Sequence, residues 1–120
     1  MTVLLLTSAT LGTVNQVVNE TSEKGLEFGK TMMAKFLHNL ENKAKDIDTI
    51  ICYTEGVFNA VRGSDAALSL SFMEDSGVKI LLCSTCLEHY HLEAEQVVGT
   101  VSDMATIATT LVQADKVIKP

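Results

Sequence analysis

Residues 78–92 read Val-Lys-Ile-Leu-Leu-Cys-Ser-Thr-Cys-Leu-Glu-His-Tyr-His-Leu, and they place two of the three cysteines and two of the three histidines directly behind an apolar run. The run from Val78 to Cys83 is short, rich in branched side chains and introduced by Ser76-Gly77, the pattern of a buried strand leaving a turn. Cys83 closes that strand. From Cys86 onward Leu87, Glu88 and Leu92 favour a helix, so the stretch reads as strand, tight loop and first helical turns. Open α/β sheets bind their ligands at such junctions, beyond the carboxyl ends of the strands.

Outward from this stretch the same alternation recurs. Val3-Leu4-Leu5-Leu6 and residues 48–53 are apolar without polar alternation, as strands covered on both faces are. Residues 97–101 and 114–118 supply a fourth strand and an edge-like fifth. Between them lies one strongly periodic helix, with Leu26, Met33, Phe36, Leu37, Leu40 and Ala44 on one face and Thr21 or Ser22 as its cap. One helical turn is expected at 57–61. A second helix over 66–75, capped by Ser64 or Asp65, buries Leu68, Phe72 and Met73, and a last one over 104–113 is capped by Ser102 or Asp103. Residues 9–22 lack a period and read as a lid-length loop. Five strands separated by helix-length segments predict a single α/β domain over 1–120: a parallel, right-handed βαβ sheet with helices on both faces and residues 83–86 at its switch point.

A chain of 120 residues with 47% hydrophobic and 20% charged content builds one core and is not disordered. Its net charge of −6, without a Lys/Arg cluster, excludes nucleic acid as an expected partner. No window approaches the roughly 18 uninterrupted apolar residues of a membrane helix. The amino-terminal apolar stretch has no positive start, so it reads as a strand of a cytoplasmic protein. In a reducing compartment three cysteines are thiols, and Cys52 in mid-strand reads as a small buried hydrophobe. Neither a G-x-G-x-x-G nor a phosphate-loop motif follows the first strand, and no cofactor is expected.

Cys86, in the first turn of its helix, meets unpaired amides that favour a thiolate, the form that attacks sulfur. Ser84 and Thr85 hydroxyls can donate to it, and His89, one turn on, can exchange a proton with it. Three other readings share these residues. Cys83-Ser-Thr-Cys86 has dithiol spacing; with His89 and His91 it offers four zinc ligands, although their crowding within nine residues argues against a metal site; and Cys83 alone is a buried strand-end residue. Ser8, Thr54, Glu55 and Gly56 are expected to join Cys83 and Cys86 at the strand ends as a pocket rim.

Taken together, Leu-Leu-Leu-Thr-Ser at residues 4–8, Gly-Lys-Thr-Met-Met-Ala-Lys-Phe-Leu at 29–37, Tyr-Thr-Glu-Gly-Val at 53–57, Gly-Val-Lys-Ile-Leu-Leu-Cys-Ser-Thr-Cys-Leu at 77–87, Val-Gly-Thr-Val-Ser-Asp-Met at 98–104 and the closing Ala-Asp-Lys-Val-Ile-Lys-Pro resemble the DsrE-like sulfur-relay family. Within it they are most similar to the carboxyl-terminal domain of the YedF type, associated with selenium metabolism. The resemblance implies a three-layer α/β/α sandwich with a mostly parallel five-stranded sheet, and homo-oligomers. It also implies a cysteine after the third strand that carries sulfur as a persulfide, here Cys83 or Cys86. YedF-type chains begin with a TusA-like domain that this sequence lacks, so a separate TusA-like donor or acceptor protein is expected. The leading expectation is a sulfurtransferase-like relay in which Cys86 accepts sulfane sulfur and Cys83 is a second thiol able to resolve it. The alternative is a non-enzymatic small-ligand or protein-binding module with structural cysteines.

Overall fold

The computed structural model describes residues 1–12 and 22–120, with residue 22 known by its backbone alone. The expected loop at 9–22 and the Thr21 or Ser22 cap fall largely on residues 13–21, outside the described residues. Along the rest run β1 (Thr2–Leu6), α1 (Ser22–Leu40), β2 (Thr49–Cys52), α2 (Asp65–Asp75), β3 (Lys79–Cys83), α3 (Ser84–His89), β4 (Thr100–Ser102), α4 (Met104–Gln113) and β5 (Lys116–Ile118), with 3-10 turns at Glu41–Asp46 and Thr54–Ala60. The strands form one sheet in the order β4-β3-β2-β1-β5, every neighbouring pair parallel.

Side chains alternate across a strand, so the apolar runs split into two cores. Leu4, Leu6, Ile50, Cys52, Ile80 and Leu82 face α1 and α2 in the larger one, with Met33, Leu37, Leu70, Met73 and Leu87. Val3, Leu5, Ile51, Leu81 and Cys83 face the other way, against Ile107 of α4. The result is helix, sheet and helix in three layers. Leu4, Leu6, Ile50, Ile51 and Leu82 have no exposed surface, and each contributes about 1.5–3 kcal/mol by burial. Three crossovers carry the chain strand by strand from β1 to β4, and the last returns it past β1 to β5. Right-handed crossovers in opposite directions lie on opposite faces, which puts α4 alone on its side. The winding therefore reverses between β1 and β5, and residues 83–86 stand at the ends of β2 and β3, not at the switch point.

Local readings divide in the same physical way. Asp103 caps α4, its carboxylate accepting the Thr106 amide at 2.7 Å. That bond holds the Asp103 carboxyl below its ordinary range. Ser64 takes the cap position of α2 without a side-chain cap bond. In α2 the buried stripe is Ala66, Ala67, Leu70 and Met73, whereas Leu68 is 75% and Phe72 50% exposed. Small alanines let the helix axis approach the sheet and turn the bulkier stripe outward. Leu26 of α1 is likewise exposed, because the buried row runs through Gly25 and Gly29 to Met33 and Leu37. The fourth strand begins at Thr100, later than expected. Val97 instead donates to the Ala60 carbonyl, and Gln96 bridges antiparallel to Val61.

Candidate functional site

The ends of β1, β2 and β3 converge because their registers are aligned, Leu6 beside Cys52 and Cys52 beside Leu82. Past β1 the chain presents the Thr7 carbonyl, past β2 it presents Thr54, and past β3 it enters α3 at once. Thr54 has φ 48°, a left-handed value that a β-branched side chain rarely tolerates. Its single hydroxyl hydrogen is shared between the Thr7 carbonyl at 3.0 Å and the Tyr53 carbonyl at 2.7 Å. Held this way, its amide donates to Cys86 Sγ at 3.0 Å.

Cys86 is partly buried and packs against both cores, on the seam between the two faces of the sheet. Cys83, at the cap position of α3, is 1% exposed and sits within the α4-side core. Burial pushes the Cys86 thiol above its ordinary range, a hydrogen bond with the Cys83 thiol adds to the rise, and the Thr54 amide opposes both. The expected thiolate at a helix start is therefore replaced by a resting thiol with one donor already aimed at its sulfur. All three cysteines are free thiols. Cys52 points into the larger core, where burial pushes its thiol up to about 12.

The remaining expected site residues fall into distinct places. The Ser8 hydroxyl pairs with Thr10 at 2.9 Å, and the Ser8 carbonyl accepts from buried Asn59 at 2.9 Å. Glu55 is exposed. Gly56 is buried, and a Cβ there would lie 1.9 Å from the Leu6 carbonyl oxygen. Its role is to let the 3-10 turn press onto the end of β1, not to line a rim. Ser84 is half-buried and Thr85 exposed. Among the described residues neither donates to Cys86. His89 is exposed and stands edge-on to Tyr90 at 4.8 Å, with no hydrogen bond to Cys86 among the described residues.

A hollow away from the cysteines was not legible in the sequence. A cavity of about 410 Å³ opens between α1 and the start of α2, lined among others by Ala9, Glu27, Lys30, Asn59, Arg62 and Asp65. It carries two charges of each sign, Glu27 and Asp65 against Lys30 and Arg62, so it favours no simple ion. Phe58, also on its wall, meets Tyr90 at 4.9 Å and so adjoins the helix that carries Cys86. The sequence signal was the Arg62-Gly-Ser-Asp65 turn, which reads equally well as a helix start.

Comparison with known proteins agrees with this architecture. The structure of the ychN protein from E. coli is similar with a TM-score of 0.63 at 15% sequence identity, over 99% of this chain and 97% of that one. The protein of unknown function MTH1491 from Methanobacterium thermoautotrophicum gives a TM-score of 0.62 at 16% identity, over the same shares, 99% and 97%. These likenesses are of fold alone. No curated protein matches the sequence. The DsrE/DsrF-like family matches residues 14–120, a span that takes in β2 to β5, both loop cysteines and Thr54. The chain belongs to the DsrE/DsrF-like family.

Proposed function

We propose that this protein is a sulfur-relay carrier, sulfurtransferase-like in its chemistry, in which Cys86 holds sulfane sulfur as a persulfide. The observation that supports this is the Thr54 amide on Cys86 Sγ, delivered by a strained backbone at the ends of three strands. In the loading step the Cys86 thiolate attacks the outer sulfur of a donor persulfide. A sulfur–sulfur bond forms to Cys86, the donor's sulfur–sulfur bond breaks, and the donor leaves as its thiolate. The Thr54 amide stabilises the anionic sulfur before attack and when the sulfur is handed on. Because burial favours the thiol, loading accelerates as pH rises. The donor or acceptor is a sulfur carrier, TusA-like as the sequence resemblance implies, in the cytoplasm. Among the described residues no helix is long and apolar enough to cross a membrane. The motifs shared with the YedF type make selenium in the same oxidation state the second cargo to try.

The relay is tested by transfer. Protein given a sulfane donor with a thiol acceptor protein already present in excess is expected to pass one sulfur per chain to that acceptor, while Cys86→Ser passes none. The raised Cys86 thiol and the sealed Cys83 favour one other reading, a binding module with structural cysteines. In that case both loop cysteines label slowly in the native protein and rapidly only after unfolding.

Assembly follows from charge. α4 has no charged residue in ten, and Met104 and Val112 stand exposed on it. In a chain of net charge −6 this is the face on which two copies meet with least repulsion, and the homo-oligomer is assigned to it.

A further inference from the structure

We propose that Cys83 turns the loaded carrier into a sulfide-releasing thiol switch. This rests on the persulfide reading of Cys86. Cys83 caps α3 and Cys86 lies three residues on, a spacing across a helix start that a disulfide can span. Cys86 packs against the α4-side core that holds Cys83. Cys83 is 1% exposed, so external electrophiles do not reach it, and the sulfur within its reach is that of Cys86. Cys86 is partly exposed where Cys83 is buried, which leaves the solvent side for a sulfur added to Cys86. That arrangement sets the attacking sulfur, the Cys86 sulfur and the leaving sulfur in the order that thiol–disulfide exchange requires.

In the step itself, Cys83 sulfur attacks Cys86 Sγ. The Cys83–Cys86 bond forms, the bond from Cys86 to the outer sulfur breaks, and its electron pair leaves on that sulfur. The outer sulfur is reduced to sulfide, the two cysteines are oxidised to a disulfide, and the proton from Cys83 leaves with the product as hydrogen sulfide. The disulfide form accepts no sulfur until a small thiol reduces it. When acceptor protein is abundant, transfer outruns resolution. When acceptor is scarce, the carrier discharges and closes.

The test uses inorganic polysulfide as donor, under argon, with removal of excess and no acceptor added. Wild type is expected to finish about 2 Da below its reduced mass, with about one sulfide released per chain, and to be restored by dithiothreitol. Cys83→Ser and Cys83→Ala are both expected to retain roughly 32 Da of added sulfur and to release at least tenfold less sulfide. The wild-type mass and sulfide yield can be read without either variant, should the buried position tolerate neither. If wild type keeps its added sulfur and releases no sulfide, the switch is overturned while the relay stands. If neither wild type nor the Cys83 variants take up sulfur, relay and switch fall together.

Discussion

A β-branched residue at φ 48° crowds its Cβ against the backbone, at a cost of about 1–3 kcal/mol. Thr54 sustains that conformation through a hydroxyl shared between two carbonyls, and the return is an amide fixed on the Cys86 sulfur. Thr54→Val keeps the shape and loses the bonds. It is expected to alkylate at Cys86 several-fold more slowly at neutral pH, with the pH profile displaced upward, and Thr54→Ser is expected to restore both. An unchanged profile in Thr54→Val contradicts the role. Nothing in the sequence signalled this, because threonine is a poor choice for a left-handed position and only its place after a strand marked it. Cys52 tests the opposite environment. In the unfolded chain its thiol ionises above roughly pH 8.5, whereas in the fold burial holds it up to about 12. A raised folded value means that its contribution is complete below the unfolded value and is lost as pH rises. Denaturant titrations are expected to show wild-type stability falling faster between those limits than that of Cys52→Ala.

At the scale of elements, what was legible followed the strength of the pattern. Val3 to Leu6, Ile50-Ile51 and Ile80 to Leu82 are apolar without interruption, and only a sheet covered on both faces accommodates them. Asp103 ahead of α4 was readable because a carboxylate three residues before an amide is a cap almost wherever it occurs. α2 was misread for a definite reason. It carries two apolar stripes, Leu68 with Phe72 and Ala66 with Leu70 and Met73, and spacing does not choose between them. The sheet does, by admitting the stripe with the smaller side chains. Gly56 was misread as a rim because strand ends attract functional readings, and the close approach of β1 was not in the sequence. Gly56→Ala must displace the backbone at Leu6 and is expected to cost about 3 kcal/mol or more. A loss below about 1 kcal/mol, under the usual range for such crowding, in the same denaturant titration is evidence against that packing.

Across the whole molecule the sheet sorts the three thiols. Cys52 is committed to one core and Cys83 to the other, and Cys86 alone lies on the seam with an opening to solvent. The uncharged outer face of α4 belongs to this scale as well. Val112→Lys combined with Met104→Lys is expected to reduce the mass seen by light scattering to that of one chain without changing the circular dichroism spectrum, and an unchanged mass removes α4 from the interface. The mechanism turns on which sulfur carries the cargo. Reduced protein is exposed to a sulfane donor and weighed intact immediately, as wild type, Cys83→Ser and Cys86→Ser. A gain of roughly 32 Da is expected in Cys83→Ser, the same adduct transiently in wild type, and none in Cys86→Ser. An adduct that survives in Cys86→Ser, or its absence from all three, contradicts it.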